Sequence, residues 1–345
     1  MSTAMTEPTP ATAPGDQPIL ELCHISKRFV KPLDAAARIA NLLGAGMREE
    51  VVHAVDNVSL TVADGEVVGL VGESGCGKST LGRVVAGVHA PSGGKVFFRG
   101  SEVDTQSNLD AKDTALKIQM IFQDPMSSLN PRMRVRDIIG EAPMVHGLVA
   151  AADLDEYVAE TLLRVGLDPS FVQRYPHQFS GGQRQRIGIA RALAVQPDFL
   201  VCDESVAALD VSIQAQVLNL FMKLREELNL TYLFISHDLG VVEHLSDRVV
   251  IMYLGRVVEI ARTEDIFDSA NHPYTKALLD EVPRLDTRKR KFVPVKGEIP
   301  SPLDPPPGCH FHPRCPYATE RCRVESPALK EIAANRWSAC HLNDG

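Results

Sequence analysis

Short apolar runs alternate with longer amphipathic stretches through the middle of the chain. Three runs are largely apolar, at residues 66–71, 199–202 and 232–235, as is typical of parallel strands buried on both faces. Helical patterns occupy residues 78–88, 184–195 and 211–228. Strands that alternate with helices in this way predict an α/β core around a parallel sheet.

Two regions depart from this alternation of apolar strands and helices, one before residue 66 and one after residue 124. Residues 19–22, 51–55 and 58–62 are strand-like in composition. Residues 31–50 resemble an insertion between two of these strands, with a possible short helix at 35–43. Residues 125–180 are mostly helical in pattern, and the stretch at 154–166 is clearly amphipathic.

Composition divides the chain into three parts. Residues 1–17 are rich in Ala, Pro and Thr, which predicts a disordered lead. The core is expected at 18–272. From residue 273 onward prolines are frequent and four of the seven cysteines lie close together in sequence. We therefore expect a small C-terminal domain at 273–345.

Charge and hydropathy exclude two classes of protein. No run approaches the ~18 consecutive apolar residues of a membrane-spanning helix. The net charge of −8 argues against a general nucleic-acid binder, which would display a basic surface. The basic run at 288–291 favours a solvated linker over a contact with lipid or phosphate. We expect a chain that is soluble by itself and reaches any membrane through partners.

A glycine-rich loop follows the first buried strand of the core. It comprises Gly72, Glu73, Ser74, Gly75, Cys76, Gly77, Lys78, Ser79 and Thr80, and it fits the pattern G-x-x-x-x-G-K-[ST]. Glycines let backbone N–H groups surround a phosphate, and the helix that follows presents its positive end. Lys78 would neutralise the β- and γ-phosphates, and the Ser79 hydroxyl would hold Mg²⁺. The loop predicts an ATP site.

Two acidic residues end the apolar run at 199–202. Asp203 is placed to hold Mg²⁺ at the carboxyl end of the strand, and Glu204 is placed to polarise the attacking water as a general base. An apolar strand that ends in Asp-Glu is weak evidence alone. About 120 residues after a phosphate loop, the pair predicts a hydrolytic centre.

The segment at 179–186, Phe-Ser-Gly-Gly-Gln-Arg-Gln-Arg, resembles the signature motif of ABC-type ATPases. Other motifs of that family stand in the expected order: Gln123 matches the glutamine loop, residues 208–210 match the D-loop that ends at Asp210, and His237 matches the switch histidine. The resemblance covers about residues 19 to 340. One departure is Ala207, where the family usually has Ser.

The resemblance implies a P-loop, RecA-like ATPase core with an antiparallel β subdomain and a helical subdomain at about 125–180. It implies that His237 senses the γ-phosphate and that Gln123 links Mg²⁺ or water to the helical region. Phe29 would stack on adenine, although a core Phe is nearly as good an interpretation.

The signature segment also predicts a second anion site. Ser180, Gly181, Gly182 and Gln183 open a helix, whose amides attract negative charge. In the family, two subunits assemble head to tail and sandwich ATP between the phosphate loop of one and the signature of the other. The charge of the γ-phosphate would then hold the dimer closed.

Three further features are similar to the oligopeptide/dipeptide/nickel importer branch of this family: residues 208–216, residues 271–279 and the cysteine tail. This branch implies a second ATPase, expected to be a paralogue, two membrane-spanning permeases and an external peptide-binding protein. The chain would then sit peripherally on the cytoplasmic face of a bacterial inner membrane. Nickel or another small solute is the alternative cargo.

The cysteine tail comprises Cys309, Cys315, Cys322 and Cys340, and it resembles the family's iron–sulfur site. Four thiolates suit a [4Fe–4S] cluster and also suit structural Zn²⁺. The absence of paired C-x₂-C spacings makes Zn²⁺ the second choice, and unliganded thiols are the third. His310, His312 and His341 border the cysteines as substitute ligands.

Three rival functions fit parts of the pattern. A soluble ABC ATPase that acts on DNA or ribosomes would show two fused cassettes, a long coiled coil or a basic face, and none is evident in the sequence. An exporter ATPase would be fused to a membrane domain or would lack the cysteine tail. A purely regulatory ATP-binding protein would not need Glu204.

Overall fold

The structure is a computed structural model, and it describes residues 17–34, 41, 46, 49–103, 114–124, 128–207, 209–281 and 297–344. The predictions for residues 1–16, for most of the 35–43 helix, for residue 208 and for the basic run at 288–291 lie outside the described residues.

In the described residues, an eight-stranded mixed sheet forms the centre of the fold, in the order β11-β12-β10-β9-β3-β8-β7-β6. Its strands are β3 (Val67–Val71), β6 (Ile118–Ile121), β7 (Phe199–Asp203), β8 (Thr231–Ser236), β9 (Arg248–Tyr253), β10 (Arg256–Arg262), β11 (Lys330–Ala333) and β12 (Arg336–Ser338). Strands β6, β7, β8, β3 and β9 run parallel to one another. The three predicted apolar runs therefore form adjacent parallel strands, which confirms the predicted α/β core.

A second sheet is antiparallel and has the order β2-β1-β4-β5. Its strands are β1 (Leu20–Lys31), β2 (Glu50–Val62), β4 (Gly93–Phe98) and β5 (Ser101–Glu102). The two strands expected at 51–55 and 58–62 are one strand. Asn57 interrupts it with a φ of 54°, and its backbone N–H donates to Ser26 Oγ at 3.0 Å. This local irregularity explains the break in the sequence pattern.

The helices whose full bounds lie in the described residues are α1 (Lys78–Val85), α2 (Val135–Val145), α3 (Leu154–Arg164), α4 (Gly181–Leu193), α5 (Val211–Leu228), α6 (Leu239–Leu245), α7 (Thr263–Ser269), α8 (Pro273–Asp280) and α9 (Glu320–Val324). Helix α1 lies between the two sheets, because Leu81 and Val85 are buried in the cluster that also contains Leu22 of β1 and Leu70 of β3. This sandwich fixes the helix that begins at the phosphate loop.

Helices α2 and α3, together with short 3₁₀ turns at Pro169–Gln173 and Pro176–Gln178, occupy the region expected to be helical. Leu154, Val158 and Leu162 of α3 are buried at a spacing of four residues, which confirms the amphipathic pattern. They share a core cluster with Leu193 of α4 and Leu200 of β7. The helical region is thus packed onto the sheet through the helix that the signature opens.

The C-terminal residues continue the central sheet. Strand β12 pairs with β10 through Trp337, which is opposite Ile260 and is buried. Phe311 packs edge-on against Tyr253 of β9 and tilted against Tyr274 of α8, with ring centroids 5.3 and 5.4 Å apart. The division at residue 273 stays a prediction, since residues on both sides of it share one hydrophobic cluster.

Candidate nucleotide site

The glycine-rich loop connects β3 to α1, and its backbone depends on glycine at two points. Gly75 and Gly77 have φ values of 81° and 107°, in the left-handed region that other residues rarely adopt. A Cβ at Gly77 would also lie 2.0 Å from the carbonyl oxygen of Ala54 in β2. Close approach of two backbones therefore requires glycine here, and it seats the loop against the antiparallel sheet.

Lys78 is buried at the start of α1, with 4% of its surface exposed. Its Nζ donates to the carbonyl oxygens of Gly72 at 2.7 Å and Glu73 at 3.0 Å. The loop thus curls around a single ammonium group. Because a buried cation attracts anions strongly, the loop is suited to bind phosphate.

Ser79 and Asp203 meet at the base of the loop, although 124 positions separate them in sequence. The Ser79 hydroxyl donates to Asp203 Oδ1 at 2.7 Å. Burial raises the pKa of the Asp203 carboxyl, and the bond from Ser79 opposes that effect. A hydroxyl and a carboxylate are oxygen ligands of the kind that Mg²⁺ prefers, so the pair fits the predicted magnesium site.

Glu204 lies at the turn after β7 with a φ of 45°, a conformation that is strained for a residue with a side chain. Its Oε2 accepts a hydrogen bond from Gln123 Nε2 at 2.6 Å, and its Oε1 is 3.5 Å from His237 Nδ1. The structure brings together the three residues predicted to be catalytic. Two flanking polar groups orient the carboxylate that would act as the base.

A cavity of about 430 Å³ opens over the loop. It is lined by Phe29, Val52, Ala54, Ser74, Gly75, Gly77, Lys78, Ser79, Thr80, Gln123, Glu204 and Pro302. Phe29 therefore stands on the wall of the site rather than in the core, as the adenine-stacking interpretation requires. It also packs edge-on against His89, with ring centroids 5.5 Å apart. Val52, Ala54 and Pro302 carry no sequence signal for this role.

The signature segment is placed apart from this cavity, since none of its residues is among the described residues that line it. Ser180 caps α4: its Oγ accepts from the Gln183 N–H at 3.3 Å, and the Gln183 side chain accepts from the Ser180 N–H at 3.1 Å. Ser180 and Gly181 are exposed, as is Asp210 at the start of α5. The second anion site thus faces outward from the chain.

Gly182→Ala is expected to destabilise the fold, whereas Gly181→Ala is not. A Cβ at Gly182 would lie 2.5 Å from Ile213 Cγ2 of α5, while nothing stands within 4 Å of one at Gly181. Overpacking of this kind costs about 1–3 kcal/mol. Urea unfolding of the two variants and the parent chain measures the difference. Equal stability of both variants would contradict the packing of α4 against α5.

The four tail cysteines lie near enough to one another for their charges to interact. Burial, and to a smaller extent the charges of Cys322, Cys315 and Cys340, raises the pKa of Cys309 to about 11. The Cys309 N–H donates to the Cys322 carbonyl at 2.8 Å. Within the described ranges, however, no group of three or more His, Cys, Asp or Glu side chains is arranged to hold a metal ion.

No helix in the described part of the chain has both the length and the hydropathy to cross a bilayer.

Comparisons with known proteins agree with the geometry. The family model described as ABC transporter matches residues 55–207, and the model described as oligopeptide/dipeptide transporter, C-terminal region, matches 258–322. The oligopeptide transport ATP-binding protein AppF of Bacillus subtilis is 48% identical over 96% of this chain and 99% of its own length. The chain belongs to the ABC transporter ATP-binding proteins. It is therefore an ATPase, with the family's expected ATP and Mg²⁺.

Another relative is similar to this chain in sequence, and two solved structures are similar to it in fold. A putative peptide import ATP-binding protein of Brucella ovis is 49% identical over 85% of this chain and 93% of its own length. The cbiO1 component of a transporter from Clostridium perfringens superposes with a TM-score of 0.59 at 25% identity, covering 74% of this chain and 92% of that one. A cassette solved as a dimer with ADP and phosphate reaches 0.59 at 26% identity, covering 71% and 98%. These neighbours confirm the predicted ABC ATPase fold.

Proposed function

We propose that this chain powers the import of peptides across a bacterial inner membrane as a peripheral ATPase subunit on the cytoplasmic face. The observation that carries the proposal is the match of residues 258–322 to the C-terminal region of oligopeptide/dipeptide transporters, on a chain that also aligns end to end with a peptide transport protein. The nucleotide site described above would provide the ATP hydrolysis that drives this import.

The assigned residues divide the chemistry of hydrolysis among them. Glu204 accepts a proton from the attacking water, and Gln123 and His237 hold its carboxylate in place. Lys78 binds the β- and γ-phosphates together with the loop amides. Ser79 and Asp203 would hold Mg²⁺, which would neutralise charge on the phosphates. Phe29 stacks on the base at the far wall of the cavity.

The outward-facing signature supports a requirement for a second subunit. Ser180, Gly181, Gly182 and Gln183 would close over ATP held by a partner, and Asp210 would lie near the dimer seam. This arrangement would be a head-to-tail dimer, expected to be formed with a paralogous ATPase, and a solved neighbour that is itself a dimer supports it. ATP would hold the two subunits together and hydrolysis would release them.

Partners beyond the second ATPase follow from the peptide-import assignment: two membrane-spanning permeases and an extracytoplasmic peptide-binding protein. The helical region offers apolar side chains for a permease contact, because Val145 and Leu163 are 70% and 57% exposed. Nucleic acid is not expected as a partner.

Uptake of a labelled di-, tri- or oligopeptide tests the proposal in cells that lack this chain and are complemented with it. Wild-type chain should restore uptake and the Glu204→Gln chain should not. Restoration of nickel uptake alone would replace peptide by nickel as the cargo. A chain that co-purifies with no permease from membranes and restores neither cargo would instead be an ATPase not coupled to transport.

We also infer that the tail holds a [4Fe–4S] cluster, with Zn²⁺ as the alternative. Four thiols from Cys309, Cys315, Cys322 and Cys340 supply the donor chemistry, and their mutual effect on pKa supports their convergence. Their side chains do not form a ligand group in this structure, and no step of the ATPase cycle depends on the cluster.

Anaerobically purified chain is expected to contain about four iron atoms per molecule and to show a broad visible absorption band, because that is the composition of the cluster. Iron and zinc quantitation with and without Cys322→Ser measures this directly. Colourless, iron-free protein would reject the cluster, and stoichiometric zinc would select the alternative.

A further inference from the structure

An arginine of the C-terminal tail reaches the phosphate loop. Arg314 Nη1 donates to Glu73 Oε2 at 2.7 Å and Nη2 donates to Oε1 at 2.9 Å, so the guanidinium grips both carboxylate oxygens. The Arg314 side chain is 4% exposed and that of Glu73 is 19% exposed. A two-pronged pair this far from solvent is geometrically specific and only weakly screened by salt.

The surroundings of Arg314 hold it in this position. Its guanidinium lies 5.8 Å from the ring centroid of Tyr253 and 6.0 Å from that of Phe311. Phe311 precedes it in the tail by three positions, and Tyr253 ends β9. The arginine is therefore part of the same aromatic cluster that attaches the tail to the central sheet.

The backbone of Glu73 is held as well. Its N–H donates to the hydroxyl of Tyr274 in α8 at 2.9 Å. Its carbonyl accepts from Lys78 at 3.0 Å. Glu73 therefore makes three separate interactions. Its side chain pairs with Arg314, its N–H donates to α8 and its carbonyl accepts from Lys78.

The negative charge of Glu73 explains why its ion pair with Arg314 matters for ATP binding. ATP brings several negative charges into the loop, and a carboxylate one position from the cavity wall repels them. Ser74 lines the cavity, whereas Glu73 and Arg314 are not among the described residues that line it. The guanidinium neutralises the carboxylate and keeps it directed away from the phosphates.

We infer that Arg314 is a positioning residue for ATP binding, acting through Glu73. The inference rests on the proposed assignment of the loop as the nucleotide site. The C-terminal tail then completes the nucleotide site of its own chain, separately from any contact with a second subunit. Pro302 is a second residue of the C-terminal part of the chain that contributes to this site. It lines the cavity, and its carbonyl accepts from the His53 N–H of β2 at 3.1 Å.

Arg314→Ala is expected to weaken ATP binding about tenfold, equivalent to about 1.4 kcal/mol. The loss should appear in the Kd and in KM, with a much smaller change in kcat at saturating ATP, because Arg314 does not touch the reacting atoms. Fluorescent-nucleotide titration and steady-state hydrolysis measure the two effects. Arg323→Ala, an exposed arginine of the same tail, is the charge-matched control and should bind ATP as the parent does.

The second variant separates positioning from folding. Adding Glu73→Gln to Arg314→Ala removes the uncompensated carboxylate, so most of the lost affinity should return. If Arg314→Ala does not accumulate as folded protein, Arg314→Gln carries the same expectation with a neutral, hydrogen-bonding side chain. With the Glu73→Gln single variant measured as well, this double-mutant cycle gives the coupling between Arg314 and Glu73 in ATP binding.

Each outcome decides one question. ATP binding of the parent strength in folded Arg314→Ala or Arg314→Gln would overturn the inference, and so would a double variant that binds as weakly as the single one. A parent chain that binds no ATP would instead refute the assignment of the loop. Restored affinity in the double variant supports the inference.

Discussion

Glu204→Gln is expected to lower the rate of ATP hydrolysis by about 10²–10⁴-fold and to leave ATP binding intact. Glutamine has the same length and can still accept the bond from Gln123 Nε2, which stands 2.6 Å from the carboxylate. It cannot take a proton from water. The backbone strain at this position, with a φ of 45°, is the same for both residues.

Single-turnover hydrolysis and nucleotide titration separate the two effects. Glu226→Gln, an exposed glutamate of α5, changes the net charge equally and should hydrolyse ATP normally. With ATP and the second ATPase subunit, the Glu204→Gln chain should also accumulate as a closed dimer, visible by size-exclusion chromatography. Hydrolysis at the parent rate would reject Glu204 as the base.

Lys78→Ala is expected to weaken ATP binding by at least about 100-fold, or about 2.7 kcal/mol. The lysine ammonium is the buried cation around which the loop curls, and without it the carbonyls of Gly72 and Glu73 face the phosphates directly. Isothermal titration with ATP, ADP and AMP measures the loss. AMP should be the least affected, because Lys78 is proposed to bind the β- and γ-phosphates.

Lys95→Ala is the matched control for this variant. That lysine is exposed and pairs with Glu102 at 2.7 Å on the antiparallel sheet. It should bind ATP as the parent does. ATP affinity that is unchanged in Lys78→Ala would show that phosphate binds elsewhere in the chain.

The sequence predicts the central elements well, because local patterns specify them. The helix expected at 211–228 is α5 with the same bounds, and the strand before the phosphate loop is β3. Motif order also places Asp203, Glu204 and Gln123 on one site. Parallel strands end at a shared edge of the sheet, so residues that follow such strands meet there.

Other boundaries differ where tertiary contacts decide them. The helix after the phosphate loop ends at Val85, three residues earlier than its pattern indicates, because Gly87 has a φ of 70° and turns the chain. The apolar pattern of the next helix starts at 184, but the helix begins at Gly181, where Ser180 and Gln183 cap each other. The signature motif predicts this start, whereas apolar periodicity does not.

By itself, the sequence determined the chemistry of this protein: a phosphate loop, a hydrolytic pair and a signature whose residue types suit ATP. Only the tertiary structure decided how the C-terminal tail contributes to the nucleotide site. Arg314 and Glu73 are 241 positions apart, and Pro302 reaches the cavity from the same distant segment. A sequence motif consists of residues that are close along the chain, so it cannot reveal a contact between distant residues. Arg314 reaches the phosphate loop because the tail folds onto β9 and β10.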